Sequence, residues 1–588
     1  MTASEAKRPL APRLWQVILP QRWLIATSLG LLLLSSGCRL AQPWLVMLAI
    51  DRHLVPGDLD GFWPLAWSFL AVAVIDLWAR HAQLITIERA GQAALVALRE
   101  RVFGHLQRLP AAFFDRTPIG RLVGRVTTDI EALQELFSSG VVTILGDLVF
   151  LIASVCILLS LSVPLTGATM LVVPVLVVVT TVIRVRVRTA YTEMRARLSE
   201  LNGFLHEQVS GMPVVQMFGQ QERRAGQFAT IDRGVRDAQL RSVCWESLLS
   251  ASTEMLGSFT TALILWYGGS LALGHDPGAD LVTGLTLGTL FAFVDYMQKF
   301  FAPLNDLSLK YTAMQNALVA SERIFGLLDE QPESPDPANP RTTEGAGTVE
   351  LRGVTFAYEP GRNVLDDVSF EVGAGERVAL VGATGSGKTT ILSLLTRLYE
   401  IEHGSILVDG IDVRELPRRQ LRRELGVVPQ DVFLFRGSVL DNIRLGHPEI
   451  TDDEAIAAAN ELHLDEVVAR FASGYREPIA ERGKNLSAGE RQLIAFARML
   501  VVQPKVLLLD EATANVDSHT EHLLQEAVHR LMAGRTSVIV AHRLSTIRDV
   551  DRILVLHKGR LVEQGSHADL LRRGGAYARL YELQYADA

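Results

Sequence analysis

Apolar residues are spread unevenly along this chain. Before about residue 310 they gather in six runs, at 24–50, 62–78, 141–163, 165–183, 248–273 and 285–301. An α-helix rises about 1.5 Å per residue, so about 20 residues cross a hydrocarbon layer of about 30 Å, and each run is expected to be a membrane span. Beyond them, short apolar strands alternate with helix-like stretches and glycine-bearing turns, the pattern of a soluble α/β domain. A six-helix membrane domain fused to an α/β domain is therefore the expected fold class.

Two long polar stretches between the spans also read as helices. Ala93, Leu95, Leu98, Val102 and Leu106 recur at three and four spacing, so the spans should continue as antiparallel arms of about 25 residues, about 40 Å long. Each pair of arms needs a turn. Pro118 and Gly120 interrupt the first pattern and Gly211 and Pro213 the second. These tips, with Arg116 and Thr117 in one and Met212 and Pro213 in the other, are the expected coupling points to the second domain. Eight arginines lie in 80–137 and ten in 184–247, whereas the hairpin loops hold at most Arg52. The positive-inside rule then makes both stretches and both termini cytoplasmic.

Residues 329–337, rich in proline and acid, cannot hold a helix and read as a linker. The expected boundaries are an N-terminal cytosolic segment over 1–22, a membrane domain over 23–325, a linker over 326–346, the second domain over 347–582 and a tail over 583–588. Lys7, Arg8 and Arg13 before the first run resemble a signal peptide, but that run continues past Arg39 and is long enough to stay in the membrane.

Composition agrees with a bilayer, since 48% of the 588 residues are hydrophobic, and a net charge of −8 offers no overall basic balance for nucleic acid. Cys38, Cys156 and Cys244 all fall in the apolar half without metal-ligand spacing, so they read as packing residues rather than a zinc site or disulfide framework. Arg39, Asp76, Asp147, Glu254 and Asp295 lie inside the spans, where a lipid-facing charge is costly. They are expected to face protein or a watery pathway, with Asp295 the pathway candidate; interhelical pairing explains them equally well.

The chemistry sits in the second half. Strand-like 378–381 leads into Gly382-Ala383-Thr384-Gly385-Ser386-Gly387-Lys388-Thr389, followed by Thr390 and a helix-like stretch. This is a GxxxxGK[ST] loop in its proper context. Its backbone N–H groups can wrap phosphates, Lys388 reach the β and γ phosphates of ATP, and the Thr389 hydroxyl ligate Mg²⁺. Strand-like 506–509 ends in Asp510-Glu511. One carboxylate is suited to the Mg²⁺ shell and the other to orienting and deprotonating water, the two tasks of γ-phosphate hydrolysis. Asp510 is assigned the first and Glu511 the second. Such a pair also serves to cap a following helix.

Leu486-Ser487-Ala488-Gly489-Glu490-Arg491-Gln492 resembles the signature of the ABC transporter superfamily, and the resemblance extends over nearly the whole chain. It implies a P-loop ATPase domain with a helical subdomain, in which Tyr358 stacks on adenine, Gln430 senses Mg²⁺ and the membrane domain, and His542 contacts the γ phosphate. It further implies that Ser487 and Gly489 act in trans on the nucleotide held by a second half-transporter. Phe113-Phe114-Asp115, Gly120-Arg121-Leu122, Arg125 and Asp129 are similar to the first coupling tip of exporters. Ala488 and Glu490, where the signature usually has glycine and glutamine, resemble the B-type (MdlB-like) subunit of bacterial heterodimeric multidrug exporters.

The expected function is ATP-driven export across the inner or plasma membrane by alternating access, as one half of a heterodimer. The expected cargo is amphipathic or hydrophobic, drug or lipid, because the spans carry few charges and several aromatics, including Trp266, Tyr267, Phe291, Phe293 and Tyr296. A homodimeric lipid flippase and an ATP-gated channel or regulatory membrane protein are the alternatives.

Overall fold

The computed structural model describes residues 9–57, 61–137, 141–273, 285–445, 447, 449–510, 518–541 and 547–585. They form two compact units: residues up to Gln107 with Gly120–Glu330, and Arg108–Ile119 with Gln331–Ala588.

The first unit is helical. Among the described residues, five helices are long and apolar enough to cross a membrane: Pro12–Leu54, Phe62–Leu106, Val142–Leu161, Val163–Ser210 and Gln221–Leu271. The sixth expected span opens the 42-residue helix Leu287–Leu328, which falls outside that set. Asp295, Gln298 and Lys299 dilute its apolar run. Expectation and structure agree on the arms, since the helix Phe62–Leu106 continues unbroken for 45 residues, about 68 Å. Its predicted stripe is the packed one: Leu95, Leu98 and Val102 are buried. Proline and glycine break the second arm where predicted. The helix Val172–Ser210 ends at Gly211, and Pro213 sits in the first turn of the short helix Met212–Met217.

Polar groups tie the spans together. Asp51 accepts hydrogen bonds from the Gly288 N–H at 2.8 Å and from the Thr286 hydroxyl. A Cβ on Gly288 would meet the Met47 carbonyl at 2.5 Å, so glycine is what lets these helix ends approach. Lys310 pairs with Asp147 on another helix, whereas Asp295 pairs with Lys299 at 3.0 Å one turn along its own helix. Of the aromatics, Phe293 and Tyr296 are buried beside Leu158 and Leu165, whereas Trp266 is 73% exposed. The cysteines divide too. Cys38 is buried as expected, but Cys156 and Cys244 lie exposed on helix surfaces; the helix Val141–Leu161 that carries Cys156 is apolar all round and does not reveal which face packs.

The second unit holds twelve described strands: β1 (Val349–Phe356), β2 (Leu365–Val372), β3 (Arg377–Val381), β4 (His403–Val408), β5 (Ile411–Asp412), β6 (Leu425–Val428), β7 (Gly437–Ser438), β8 (Pro478–Ile479), β9 (Val506–Asp510), β10 (Thr536–Val540), β11 (Arg552–His557) and β12 (Arg560–Gly565). One sheet runs β12-β11-β3-β10-β9-β6, parallel except at its β12 edge. Its central strands β9 and β10 are buried throughout, as strands covered on both faces must be. A second, antiparallel sheet runs β2-β1-β4-β5. The helices Val439–Arg444, Asp452–Glu461, Leu464–Val468 and Ala488–Val502 share a core through Ile443, Ala455, Leu464 and Leu493.

Residues 108–119 belong to this unit by their packing. The helix Ala111–Arg116 stops at Thr117, whose extended φ of −119° is what Pro118 imposes on its predecessor. Residues read as linker also pack here: the Glu333 N–H donates to the Arg108 carbonyl at 2.7 Å, and the Arg418 N–H to Asp336 at 3.0 Å.

Candidate nucleotide site

Strand β3 ends at Val381, and the chain turns through residues 382–387 into the helix Lys388–Leu395. Two left-handed glycines make this turn, Gly385 at φ 79° and Gly387 at φ 100°. Neither angle suits a residue with a side chain. A Cβ on Gly387 would meet Leu365 at 2.6 Å and the Val364 carbonyl at 3.1 Å, and one on Gly382 the Leu556 carbonyl at 2.3 Å. The loop is thus closely backed by protein on its inner side, while Ala383, Thr384 and Gly385 are exposed on its outer side.

Lys388 lies inside the loop. Its ammonium donates to the Gly382 carbonyl at 2.7 Å and the Ala383 carbonyl at 3.1 Å. Burial lowers its pKa, and the nearby Asp510 carboxylate opposes that shift. Ser386 Oγ is buried without a hydrogen-bond partner. A glycine turn at a helix N-terminus, a buried cation and a spare buried hydroxyl fit a phosphate chain. Thr389 is exposed beside them, and Thr390, buried, accepts a 3.2 Å hydrogen bond from the Tyr358 hydroxyl.

Asp510 ends β9, Gln430 follows β6, and those strands are neighbours, so both residues belong to the carboxyl edge that also carries the loop after β3. This is the ligand-bearing edge of a parallel sheet. Thr389, Gln430 and Asp510 offer hydroxyl, amide and carboxylate oxygens, the donor chemistry that Mg²⁺ takes. Glu511 and His542 lie outside the described residues.

Ser487 caps the helix Ala488–Val502. Its Oγ accepts from the Glu490 N–H at 3.2 Å, and the Glu490 carboxylate accepts from the Ser487 N–H at 2.7 Å. Ser487 is exposed and Gly489 buried. This reciprocal box puts a carboxylate at the positive end of the helix.

One contributor carried no sequence signal. Tyr399 forms a T-shaped triad with Phe356 and Tyr358, with ring centres 4.9 to 5.8 Å apart. Its hydroxyl donates to Asp115, and Arg116 donates to the Tyr358 carbonyl at 3.2 Å. The first expected tip thereby meets the residue assigned to adenine. Met212 and Pro213 belong to the other unit.

Comparison with known proteins follows the same division. Residues 25–304 match the ABC transporter transmembrane region and residues 365–514 the ABC transporter family. An uncharacterized ABC transporter ATP-binding protein of Bacillus subtilis, YknV, is 36% identical over 98% of this chain and 94% of its own length. A fatty acid ABC transporter ATP-binding/permease protein of Mycobacterium bovis is 38% identical over 88% of this chain and 80% of its own. A solved structure of a bacterial Atm1-family ABC exporter with ATP bound superposes with a TM-score of 0.74 at 32% identity, covering 96% of this chain and 98% of the other.

Proposed function

This chain belongs to the ABC transporter family, as an ATP-hydrolysing exporter chain with its membrane and ATPase domains fused, and from that premise we propose that it exports amphipathic or hydrophobic molecules as one half of a heterodimer. The observation that carries the nucleotide part of this reading is the closed loop 382–389 around Lys388, with Asp510 and Gln430 on the same sheet edge. Residues 23–325 form the membrane domain in this reading and 347–582 the ATPase domain, cytoplasmic and attached to the inner or plasma membrane.

Within the site, Lys388 exchanges its two carbonyl partners for phosphate oxygens, and Tyr358 offers its exposed ring to adenine. Thr389, Gln430 and Asp510 would hold Mg²⁺, which would neutralise charge on the phosphates. Glu511 takes the proton from the attacking water, and His542 steadies the γ phosphate. Ser487 and Gly489 complete the site of the partner, since by family resemblance each nucleotide lies between two chains.

An amphipathic cargo is supported by the fatty acid relative and by the aromatics of the membrane unit. The heterodimer is supported by Glu490, whose carboxylate occupies the end of the helix where a phosphate from the partner's site would lie. Alternating access follows if closure of the two ATPase domains is passed to the spans through Arg116, Thr117, Met212 and Pro213, with Asp295 on the pathway.

The test is ATP hydrolysis and ATP-driven export of a fluorescent lipid by this chain alone in liposomes, beside Glu511→Gln. Glu511-dependent export by the lone chain establishes a homodimer and ends the heterodimer reading. A folded, ATP-binding but inactive chain that a second half-transporter rescues bears it out. Passive lipid flux opened by ATP and unchanged in Glu511→Gln means a gated channel instead.

A further inference from the structure

Four helices of the membrane unit, Arg22–Ala49, Phe62–Leu106, Val141–Leu161 and Leu287–Leu328, pack on one another and bring five charged side chains together. Two are carboxylates, and each already has its cation. Asp76 accepts from Arg80 at 2.9 Å and from the Ser35 hydroxyl at 2.6 Å, and Asp147 pairs with Lys310. Both carboxylates are largely buried, at 11% and 20% side-chain exposure. The fifth charge is Arg39, within electrostatic range of Asp76, Asp147 and Arg80. Its guanidinium lies 4.6 Å from the centre of the buried Phe150 ring and makes no hydrogen bond or ion pair with any described residue.

Among the described residues the cluster therefore carries three cations against two anions, and the surplus one is Arg39. A guanidinium has five N–H donors in a planar fork, and a ring face satisfies none of them. Keeping such a group half-buried in a span is costly unless an acceptor arrives. The acceptor that matches a fork bidentately is a carboxylate or a phosphate. On the same helices Ile75 and Leu77 beside Asp76, and Leu148 and Val149 beside Asp147, are exposed, an apolar surface suited to a hydrocarbon tail.

We propose that Arg39, backed by Phe150 and flanked by the Asp76–Arg80 and Asp147–Lys310 pairs, binds the anionic oxygen headgroup of an amphiphile whose tail lies along the neighbouring spans. This inference rests on the exporter reading and narrows its cargo to anionic amphiphiles. The flanking pairs hold the site in shape and leave one positive charge for the ligand.

The experiment measures equilibrium binding to the full chain in phosphatidylcholine nanodiscs without nucleotide, so its outcome is independent of whether the chain turns over ATP. The probes are isotope-labelled oleate and oleyl alcohol, with inorganic phosphate as a tail-less competitor. The native chain is expected to hold oleate at least ten-fold more tightly than the alcohol. Arg39→Gln is expected to cut that preference below three-fold, Arg39→Lys to leave it between the native and Gln values because the charge stays and the fork is lost, and inorganic phosphate to leave oleate bound. Equal binding of oleate and alcohol by the native chain overturns the proposal, and so does an unchanged preference in Arg39→Gln. Displacement of oleate by inorganic phosphate overturns the amphiphile assignment. If Arg39→Gln does not fold, the native comparison and Arg39→Lys decide the matter.

Discussion

The Tyr399 hydroxyl donates a hydrogen bond to the Asp115 carboxylate across 284 positions of sequence. Burial and this bond to a carboxylate both raise the Tyr399 pKa, so the phenol stays protonated and remains a donor at any working pH. Asp115 is next to Arg116, which holds the Tyr358 carbonyl, and Tyr399 stacks edge-on against Tyr358. Asp115 and Arg116 are thus linked to the Tyr358–Tyr399 pair by one side-chain bond and one backbone bond. Tyr399→Phe removes the bond and keeps the ring packing. A hydrogen bond of this kind contributes about 1 kcal/mol, which at full coupling is about a five-fold effect. The expected result is a fall of about that size in cargo-stimulated ATP turnover, with ATP affinity changed less than two-fold. Equal losses in both would mean that the hydroxyl only shapes the adenine pocket.

Gly387 supports a prediction of larger size. Its φ of 100° suits glycine alone, and an added Cβ would stand 2.6 Å from Leu365 and 3.1 Å from the Val364 carbonyl. Leu365 could rotate, but the carbonyl belongs to backbone and cannot move without disturbing β2. Gly387→Ala is expected to weaken ATP binding at least ten-fold, about 1.4 kcal/mol. Titration with a fluorescent ATP analogue checks this, and near-native affinity would show that the loop tolerates a shift.

What the sequence made legible was local. The loop 382–389 was readable because strand, glycines and helix are contiguous, and the tips because Pro118 and Pro213 act on their immediate neighbours. Tyr399 was not, since its partner is remote and an isolated aromatic residue has no periodicity. The outward position of Cys156 was illegible for a related reason. The span Val142–Leu161, at mean hydropathy 2.6, shows no polar face, so inside and outside look alike in sequence. The sixth apolar run, 285–301, is legible in the sequence, and the Asp295–Lys299 pair one helical turn apart is what weakens it.

Asp409 yields a pH dependence. It accepts hydrogen bonds from the Gly347 and Thr348 N–H groups at 2.8 and 2.9 Å and from the Thr343 hydroxyl at 2.6 Å, tying the approach to β1 onto the turn after β4. Burial alone would raise its pKa, but these donors outweigh it and hold the carboxyl below its ordinary value. A carboxylate with a depressed folded pKa adds stability above the unfolded value of about 3.9, and that stability is lost as pH falls through the folded one. Asp409→Asn is expected to destabilise the ATPase unit by about 1–3 kcal/mol at pH 7, because its amide offers fewer acceptor sites. The gap between variant and native chain should narrow below about pH 4. Thermal unfolding of the full chain across that range checks it, and a gap independent of pH would rule out the charge as its source.

Glu490 sets two effects against each other. Its carboxylate closes the capping box with Ser487, so it stabilises the helix Ala488–Val502. The same negative charge sits where the proposed partner phosphate would lie, and like charges repel. Glutamine can still accept the Ser487 N–H bond, so Glu490→Gln should keep the cap and lose about 0.3–1 kcal/mol of charge–dipole stabilisation. If the carboxylate weakens phosphate capture, the variant should be slightly less heat-stable and hydrolyse ATP faster in the assembled dimer. A variant that loses stability and turnover together would mean that the carboxylate serves the fold alone.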